Sequence, residues 1–228
     1  MNKNFCLKHL LAVSVLLSSA TLANAQYSNA FDTTSSPFRY DFGNGVSPTV
    51  SWVVGPIFDA GGSSGSGSVK LGWTWAGTAG GADFTADILP TPQNYAGATL
   101  SFDIYVDPSS TPGTFNDYGY FQFNTRYTVS AGDTYHFGPS YINKGLVGAG
   151  NVASAVGQWS HVSVILGAEA ATLRALTFQD YNDAGRGPIN GPMALYIDNL
   201  TITPVPEPAA FALVGLGGLA MVVFRRRK

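Results

Sequence analysis

The sequence predicts an all-β fold, an antiparallel β-sandwich (jelly roll), placed between an N-terminal signal peptide and a single C-terminal transmembrane helix. Residues 26–204 are enough chain for one domain with its own hydrophobic core. Short runs of β-branched and aromatic residues recur there, separated by Gly, Pro, Ser, Asn and Asp. Aspartate outnumbers glutamate twelve to one in this body, which favours turns over helices.

The strands are predicted from these apolar runs and the turn residues that bound them. Seven are predicted at 50–54, 68–75, 99–106, 118–125, 161–166, 173–178 and 194–202, and three weaker ones at 38–42, 84–89 and 134–137. The segment 180–183 is interpreted as a turn, because it consists of Asp, Tyr, Asn and Asp. Without crossover helices, such strands favour two antiparallel sheets packed face to face.

The last predicted strand changes its alternation halfway along. Leu195 and Ile197 share one parity, whereas Leu200 and Ile202 share the other. All four side chains can face the core only if one extra residue is inserted. We therefore predict a β-bulge at 198–199.

The N-terminus has the pattern of a secretory signal peptide, residues 1–25. Lys3 and Lys8 precede an apolar stretch at 10–17, and the small residues at 23–25 suit signal peptidase. We expect cleavage between Ala25 and Gln26, which would export the body.

The C-terminus, residues 205–228, has three parts in a fixed order. Pro206, Glu207 and Pro208 precede an apolar run at 209–224, and the basic residues Arg225, Arg226, Arg227 and Lys228 end the chain. Sixteen apolar residues give a helix of roughly 24 Å, and the terminal cations would stop it in the membrane with the body outside the cytoplasm.

This order of parts resembles the PEP-CTERM sorting signal. The resemblance implies a Gram-negative bacterium that makes exopolysaccharide. It also implies an exosortase, a membrane protease that would cut near 206–208 and pass the protein from the inner membrane to the cell surface or extracellular matrix. An ordinary one-pass anchor is the alternative.

Composition excludes several kinds of function for the body. Cys6 lies in the signal peptide, so the mature protein has no disulfide and no thiol nucleophile. Six basic side chains against thirteen acidic ones in 26–204 make nucleic acid an unsuitable partner.

No enzyme motif is found either. The run 61–65 has the spacing of a nucleophile elbow, but it leads into a strand rather than a helix. His136 and His161 fit neither a triad nor a metal-ligand spacing. A glycosidase needs two carboxylates at a defined separation, and the sequence pairs none. We expect no catalytic activity, with a carbohydrate-active hydrolase as the remaining alternative.

Polar and aromatic side chains alternate with the core residues along two predicted strands. If both strands lie in one sheet, that sheet presents a mixed polar and aromatic face outward. Carboxylates, amides and aromatic rings suit sugar hydroxyls and sugar rings, and an ordinary solvated face is the alternative. The candidate carbohydrate-binding residues are Asp103, Tyr105, Tyr118, Tyr120, Gln122 and Asn124.

The body also resembles jelly-roll carbohydrate-binding modules of the galactose-binding-like type. The resemblance lies in the closing run 196–200, the Gly/Ser loop before 69–71, the strand 100–105, and Gln158-Trp159. It implies a structural calcium held in part by Asp198, with Asp32 and Asp41 as guessed co-ligands. The alternative for Asp198 is a carboxylate that accepts hydrogen bonds from the backbone amides of the bulge.

Together these features predict an exported surface or matrix protein whose sandwich binds carbohydrate, for example exopolysaccharide. A structural or adhesive matrix protein without a specific ligand is the alternative.

Overall fold

The computed structural model describes residues 26–32, 37–43, 46–55, 57–77, 80–89, 91–113, 118–127, 136–182 and 189–204. The predicted signal peptide, the apolar run 209–224 and the basic tail lie outside these residues. Across the described ranges, no helix has the length and apolar character needed to cross a membrane. Residues 26–203 form one compact unit.

The unit consists of two antiparallel sheets. The six-stranded sheet has the order β3-β4-β11-β6-β9, with β1 paired to β11. Its strands are β1 (Tyr27–Asn29), β3 (Val46–Val54), β4 (Gly67–Gly77), β6 (Thr99–Val106), β9 (Trp159–Ile165) and β11 (Ile189–Thr203). The five-stranded sheet has the order β2-β5-β10-β7-β8. Its strands are β2 (Phe38–Gly43), β5 (Gly80–Ala86), β7 (Tyr120–Tyr127), β8 (His136–Gly145) and β10 (Leu173–Asn182).

The antiparallel β-sandwich predicted from the sequence is confirmed. Each of the ten predicted strands overlaps a strand of the structure, and only the short β1 had no prediction. A 3-10 helix, Ala168–Thr172, precedes β10.

One predicted turn is wrong. Strand β10 continues through residues 180–182, since Tyr181 pairs with Tyr120 of β7 and Asn182 pairs with Gly80 of β5. Pairing on both sides satisfies the backbone groups there, and this outweighs the turn preference of Asp and Asn.

Aromatic side chains from both sheets fill the space between them. The ring of Phe102 on β6 lies 5.0 Å from that of Phe178 on β10, and Phe123 on β7 lies 5.2 Å from the same ring. All three are at most 1% exposed. Because the core and both sheets lie inside the unit, we expect residues 26–204 to fold by themselves.

The bulge predicted in the last strand is confirmed. The register of β11 against β6 shifts between Asp198 and Thr201, and Asn199 has a φ of 50°. Leu195, Ile197, Leu200 and Ile202 are all buried as a result.

The condition attached to the predicted binding face is not met. Strand β6, with Asp103 and Tyr105, belongs to the six-stranded sheet, whereas β7, with Gln122 and Asn124, belongs to the five-stranded sheet. The expectation of one shared face is therefore wrong. Alternation shows which side chains point away from the core, but it does not show which sheet the strand joins.

Candidate functional site

A groove of about 350 Å³ lies on the outer face of the five-stranded sheet. We call this surface the open face. Strands β2, β5, β7, β8 and β10 all contribute to the groove, because alternate residues of each strand point outward. Its lining residues are Phe42, Asp83, Gln122, Asn124, Gly138, Ser140, Gln179 and Tyr181.

The strand register places four of these side chains in one row. Gln122 is paired with Gln179, Gln179 with Asp83, and Asp83 with Phe42. Neighbouring strands lie about 4.8 Å apart, so the row extends about 14 Å across the sheet. Polar groups thus run across the groove from β7 to the edge strand β2.

Hydrogen bonds within the groove fix the orientation of its amides. Gln179 Nε2 donates to Asp83 Oδ2 at 2.6 Å, and Tyr181 Oη donates to Gln179 Oε1 at 2.5 Å. Asn124 Nδ2 also reaches Gln179 Oε1, at 3.4 Å, and Gln122 Nε2 donates to Asn124 Oδ1 at 3.2 Å. Gln179 is therefore the centre of the network, which is ordered before any ligand binds.

The aromatic ring of Tyr181 lies low over the sheet because the neighbouring residue on β5 is a glycine. A Cβ atom at Gly81 would stand 3.1 Å from two carbons of the Tyr181 ring. A larger residue there would push the ring away from the sheet. Gly81 therefore helps to place the Tyr181 ring over the groove.

Two arginines lie beside the groove, and acids already neutralise both. Arg126 on β7 donates from Nε to Thr177 Oγ1 at 2.6 Å and pairs with Asp41 of β2. Arg39 pairs with Asp41 and, at 2.8 Å, with Asp87. Burial disfavours the charge of Asp41, but the two arginines outweigh it and hold the pKa of this carboxyl below its ordinary value.

In the part of the chain that the structure describes, Asp83 forms no ion pair. The residue is 1% exposed, and among the described residues its Oδ1 has no hydrogen-bond partner. Burial raises its pKa to about 6, against the opposing effects of the Gln179 hydrogen bond and the charge of Arg126. Asp83 thus brings an incompletely compensated negative charge to the groove at neutral pH.

The outer face of the six-stranded sheet is different around Tyr105, Tyr196 and Asp198, and we call this part the covered face. The loop between β3 and β4 folds over it. Phe58 of the loop stacks on Tyr196 at 5.0 Å, and Trp159 Nε1 donates to the carbonyl oxygen of Ile57 at 3.1 Å. Tyr105 packs against Tyr196 and is 5% exposed, so it is a packing residue and the prediction that it contacts ligand is wrong.

A smaller pocket, about 210 Å³, remains on the same sheet beside Lys70 and Thr49. Lys70 Nζ lies 3.8 Å from Asp107 Oδ2 and 5.4 Å from the centre of the Tyr196 ring. The Lys70 ammonium group is therefore held by residues of the covered face.

Asp198 is fully buried on the covered face and closes the bulge. Its Oδ1 accepts from the backbone N–H of Asn199 at 2.7 Å, and its Oδ2 accepts from that of Ala60 at 2.9 Å. Burial raises its pKa to about 6, although both N–H groups oppose the shift. These contacts match the role of a carboxylate that binds the backbone amides of the bulge.

The calcium site that the resemblance implies would have Asp198 as one ligand, with Asp32 and Asp41 as the guessed co-ligands. Within the described ranges, no three His, Cys, Asp or Glu side chains are grouped so as to hold a metal ion. The guessed co-ligand Asp41 lies in the other sheet, bound to two arginines, so that guess is wrong. Asp32 is an exposed residue that follows β1.

The structure separates the six predicted carbohydrate-binding residues. Gln122 and Asn124 line the groove. Tyr120 lies on the same strand face, and its hydroxyl donates to the carbonyl oxygen of Asn143 at 2.7 Å. Tyr118 is 7% exposed within the core, before β7 begins, so its assignment to the binding face is wrong.

Asp103 lies on the outer face of the six-stranded sheet. One carboxylate oxygen is 2.7 Å from His161 Nδ1, and the other accepts from Asn199 Nδ2 at 2.8 Å. These contacts hold the side chain across three neighbouring strands, away from the groove.

Six of the groove residues had no prediction from the sequence: Phe42, Asp83, Gly138, Ser140, Gln179 and Tyr181. Alternation was the signal that could have found three of them. Gln179 and Tyr181 alternate with Phe178 and Asp180, and Asp83 alternates with Phe84. The turn interpretation of 180–183 ended the predicted strand too early.

Comparison with known proteins separates the tail from the body. Residues 204–228 match the family described as the PEP-CTERM protein-sorting motif, which confirms the resemblance seen in the sequence. No curated protein matches the chain.

The solved structures similar in fold to the body include carbohydrate-binding modules. CBM27-1 of Caldicellulosiruptor saccharolyticus, in complex with mannohexaose, is similar at a TM-score of 0.53 and 16% identity, over 81% of this chain and 100% of that one. The family 11 module of Clostridium thermocellum, in complex with a β-1,3-1,4-mixed-linked tetrasaccharide, gives 0.51 and 12%, over 80% and 97%.

A third structure concerns the promiscuous specificity of carbohydrate-binding modules of the β-sandwich superfamily. It gives a TM-score of 0.52 and 17% identity over 76% of this chain, which spans 60% of the length of that one. At these identities the likeness shows a shared fold.

Proposed function

We propose that this chain is an exported bacterial surface or matrix protein whose β-sandwich binds polysaccharide in the groove of the open face. The main support is the row of side chains from Gln122 through Gln179 and Asp83 to Phe42. This row places amides, a carboxylate and an aromatic ring side by side in one groove.

The chemistry of the row suits a sugar chain. Amide and carboxylate groups hold hydrogen-bonding positions in fixed directions, as sugar hydroxyls require. Phe42 is 72% exposed at the end of the row, and an exposed ring offers the flat apolar surface on which a sugar ring can pack. A row of about 14 Å has room for more than one sugar unit.

The small number of carboxylates in the groove favours binding over hydrolysis. Among the described residues that line it, Asp83 alone is acidic. Hydrolysis of a glycosidic bond ordinarily needs two carboxylates on opposite sides of the bond. The nearby Asp41 is held by Arg39 and Arg126 instead.

The PEP-CTERM motif supports the proposed location. Signal peptidase would release the chain after Ala25, and an exosortase would then cut near Pro206-Glu207-Pro208 and deliver the body to the surface or matrix. Exopolysaccharide at that location would be a ligand in reach of the groove. The fold shared with carbohydrate-binding modules supports the same proposal.

Affinity electrophoresis of the 26–204 fragment tests binding. We expect polysaccharides dissolved in the gel, galactomannan and mixed-linked β-glucan first, to retard its migration, and Gln179→Ala to remove most of the retardation. Ser163→Ala is the matched control, because Ser163 is an exposed residue of β9 in the other sheet. Failure to bind any polysaccharide of a broad panel, with or without calcium, would contradict the proposal.

Mass spectrometry of the protein from the cell surface tests sorting. We expect the C-terminal peptide to end near residue 208, without the basic tail. Intact Arg225–Lys228 in all of the surface protein would contradict processing by an exosortase.

A further inference from the structure

The charges around the groove are unevenly compensated. Asp41 forms ion pairs with both Arg39 and Arg126, and Arg39 also pairs with Asp87. These two arginines and two aspartates are in contact with one another, so their charges largely cancel.

Asp83 differs from these acids in its contacts. Its Oδ2 accepts from a neutral amide, that of Gln179, and its Oδ1 has no hydrogen-bond partner among the described residues. The residue is 1% exposed and lines the groove. A negative charge thus lies at the floor of the groove, where water screens it less than at an open surface.

We infer that Asp83 makes this groove selective for neutral polysaccharides over those that carry carboxylates. The inference rests on the proposed function of the same groove. A neutral sugar brings hydroxyl donors toward the carboxylate, whereas a uronate brings a second negative charge that the paired arginines do not offset.

The size of the effect follows from Coulomb's law. Two like charges about 8 Å apart, at an effective dielectric constant near 20, repel by an energy that corresponds to a loss of affinity of about tenfold or more. One uronate per bound segment is therefore enough to be measured.

A matched pair of polymers tests the selectivity. Mixed-linked β-glucan and galactomannan are each compared with a derivative in which part of the C6 hydroxyls has been oxidised to carboxylates. For the 26–204 fragment at pH 7 we expect each oxidised polymer to bind about tenfold more weakly than its parent.

Asp83→Asn tests whether Asp83 is the cause. This variant keeps the size of the side chain and an oxygen for Gln179 Nε2, but it removes the charge. We expect the preference for the neutral polymer to fall to about twofold or less. The control is Asp32→Asn, an exposed aspartate outside the groove lining, which should leave the preference unchanged. Melting curves confirm that each variant is folded.

The wild-type protein provides a second test that needs no variant. The pKa of Asp83 lies near 6, so its charge is mostly present at pH 7 and mostly lost at pH 5. The other charged or phenolic groups that face it are Arg126, Asp41, Tyr40 and Tyr181. The pKa of Asp41 is lowered by its two arginines and the pKa values of Tyr40 and Tyr181 are raised by burial, so these three groups keep their charge state between pH 5 and pH 7. Uronates also stay ionised at pH 5. The preference should therefore weaken at pH 5.

The outcomes separate the two proposals. If no polymer binds, neutral or oxidised, the proposed function fails. If the neutral polymers bind but their oxidised forms bind equally well, or if Asp83→Asn keeps the full preference, only the inference about Asp83 fails.

Discussion

The two outer faces of the sandwich carry similar residues and have different roles. The covered face has Tyr105, Tyr196 and Asp198, and the open face has Tyr181, Asp83 and Gln179. On the first, the β3–β4 loop stacks Phe58 on Tyr196 and donates a backbone N–H to Asp198. On the second, the same kinds of side chain line a groove of about 350 Å³.

The difference teaches that a polar and aromatic strand face stays accessible to a ligand only where the chain does not fold over it. The covered face uses its aromatic rings as a second, smaller core, and its carboxylates accept hydrogen bonds from the chain itself. The open face keeps its amide network and the carboxylate of Asp83 beside a groove. Substitutions on the first should therefore change stability, and those on the second should change binding.

The largest effect is expected on the covered face. Tyr196 is buried, stacks on Phe58, packs edge-on against Tyr105, and donates from its hydroxyl to Asp107 at 2.6 Å. Tyr196→Ala should lower the free energy of unfolding by about 3 kcal/mol, measured by urea denaturation. Tyr196→Phe keeps the ring and should lose only about 1 kcal/mol.

Polysaccharide affinity of the folded Tyr196→Ala protein should equal that of wild type. Affinity is measured under conditions in which the urea curve shows the variant to be fully folded. A loss of affinity there would show that the covered face contributes to binding, which would contradict the separate roles expected for the two faces.

The second prediction concerns pH, because each face holds one buried carboxyl whose pKa burial raises to about 6, Asp83 and Asp198. Above pH 6 both carboxyl groups are charged in the folded protein, although their burial favours the neutral form. Between pH 7 and pH 5 the folded state binds more protons than the unfolded chain, so stability rises as the pH falls, by roughly 1 kcal/mol for each group.

Urea denaturation at pH 7 and pH 5 measures this gain, about 2 kcal/mol in all. Asp83→Asn should remove the half that belongs to the open face. At still lower pH the gain reverses, because the pKa values of Asp41 and Asp107 are lowered in the folded state and their protonation is unfavourable there. A stability that is constant or falls from pH 7 to pH 5 would contradict the raised pKa values.

Much of the fold was predictable because local patterns determine it. Apolar runs bounded by turn residues located the strands, and the change of parity between Ile197 and Leu200 located the bulge. These features depend on neighbours within one strand or on a single register, and a sequence contains that information.

The site was predictable only in part because it depends on contacts between distant segments. Gln122 and Asn124 were found. Gln179, which accepts from Asn124, and Asp83, which accepts from Gln179, lie on strands that are far away in sequence. The sheet to which β6 belongs, and the folding of the Gly/Ser-rich loop over Tyr196, follow from long-range packing. Residue types alone did not distinguish Tyr105, which is packed, from Tyr181, which lines the groove.

The third prediction tests the centre of the groove. Gln179 donates to Asp83 and accepts from Tyr181 and Asn124, so Gln179→Ala removes the group that orders the other three. We expect polysaccharide affinity to fall about tenfold, measured by isothermal titration or affinity electrophoresis. The fragment should remain folded, with a stability loss of about 1 kcal/mol. Unchanged affinity would place the binding surface elsewhere on the molecule.

The smallest effect is expected at the edge of the open face, and it has the best matched control. Phe42 is 72% exposed at the end of the polar row, and Ile165 on β9 is 71% exposed at the edge of the other sheet. Truncating either to alanine exposes little new surface, so neither variant should change stability measurably. Phe42→Ala should weaken polysaccharide binding about fivefold, because an aromatic ring packed on a sugar contributes about 1 kcal/mol. Ile165→Ala should leave binding unchanged. Equal effects of the two substitutions would mean that exposed apolar area alone, rather than the position of the ring beside Asp83, determines the affinity.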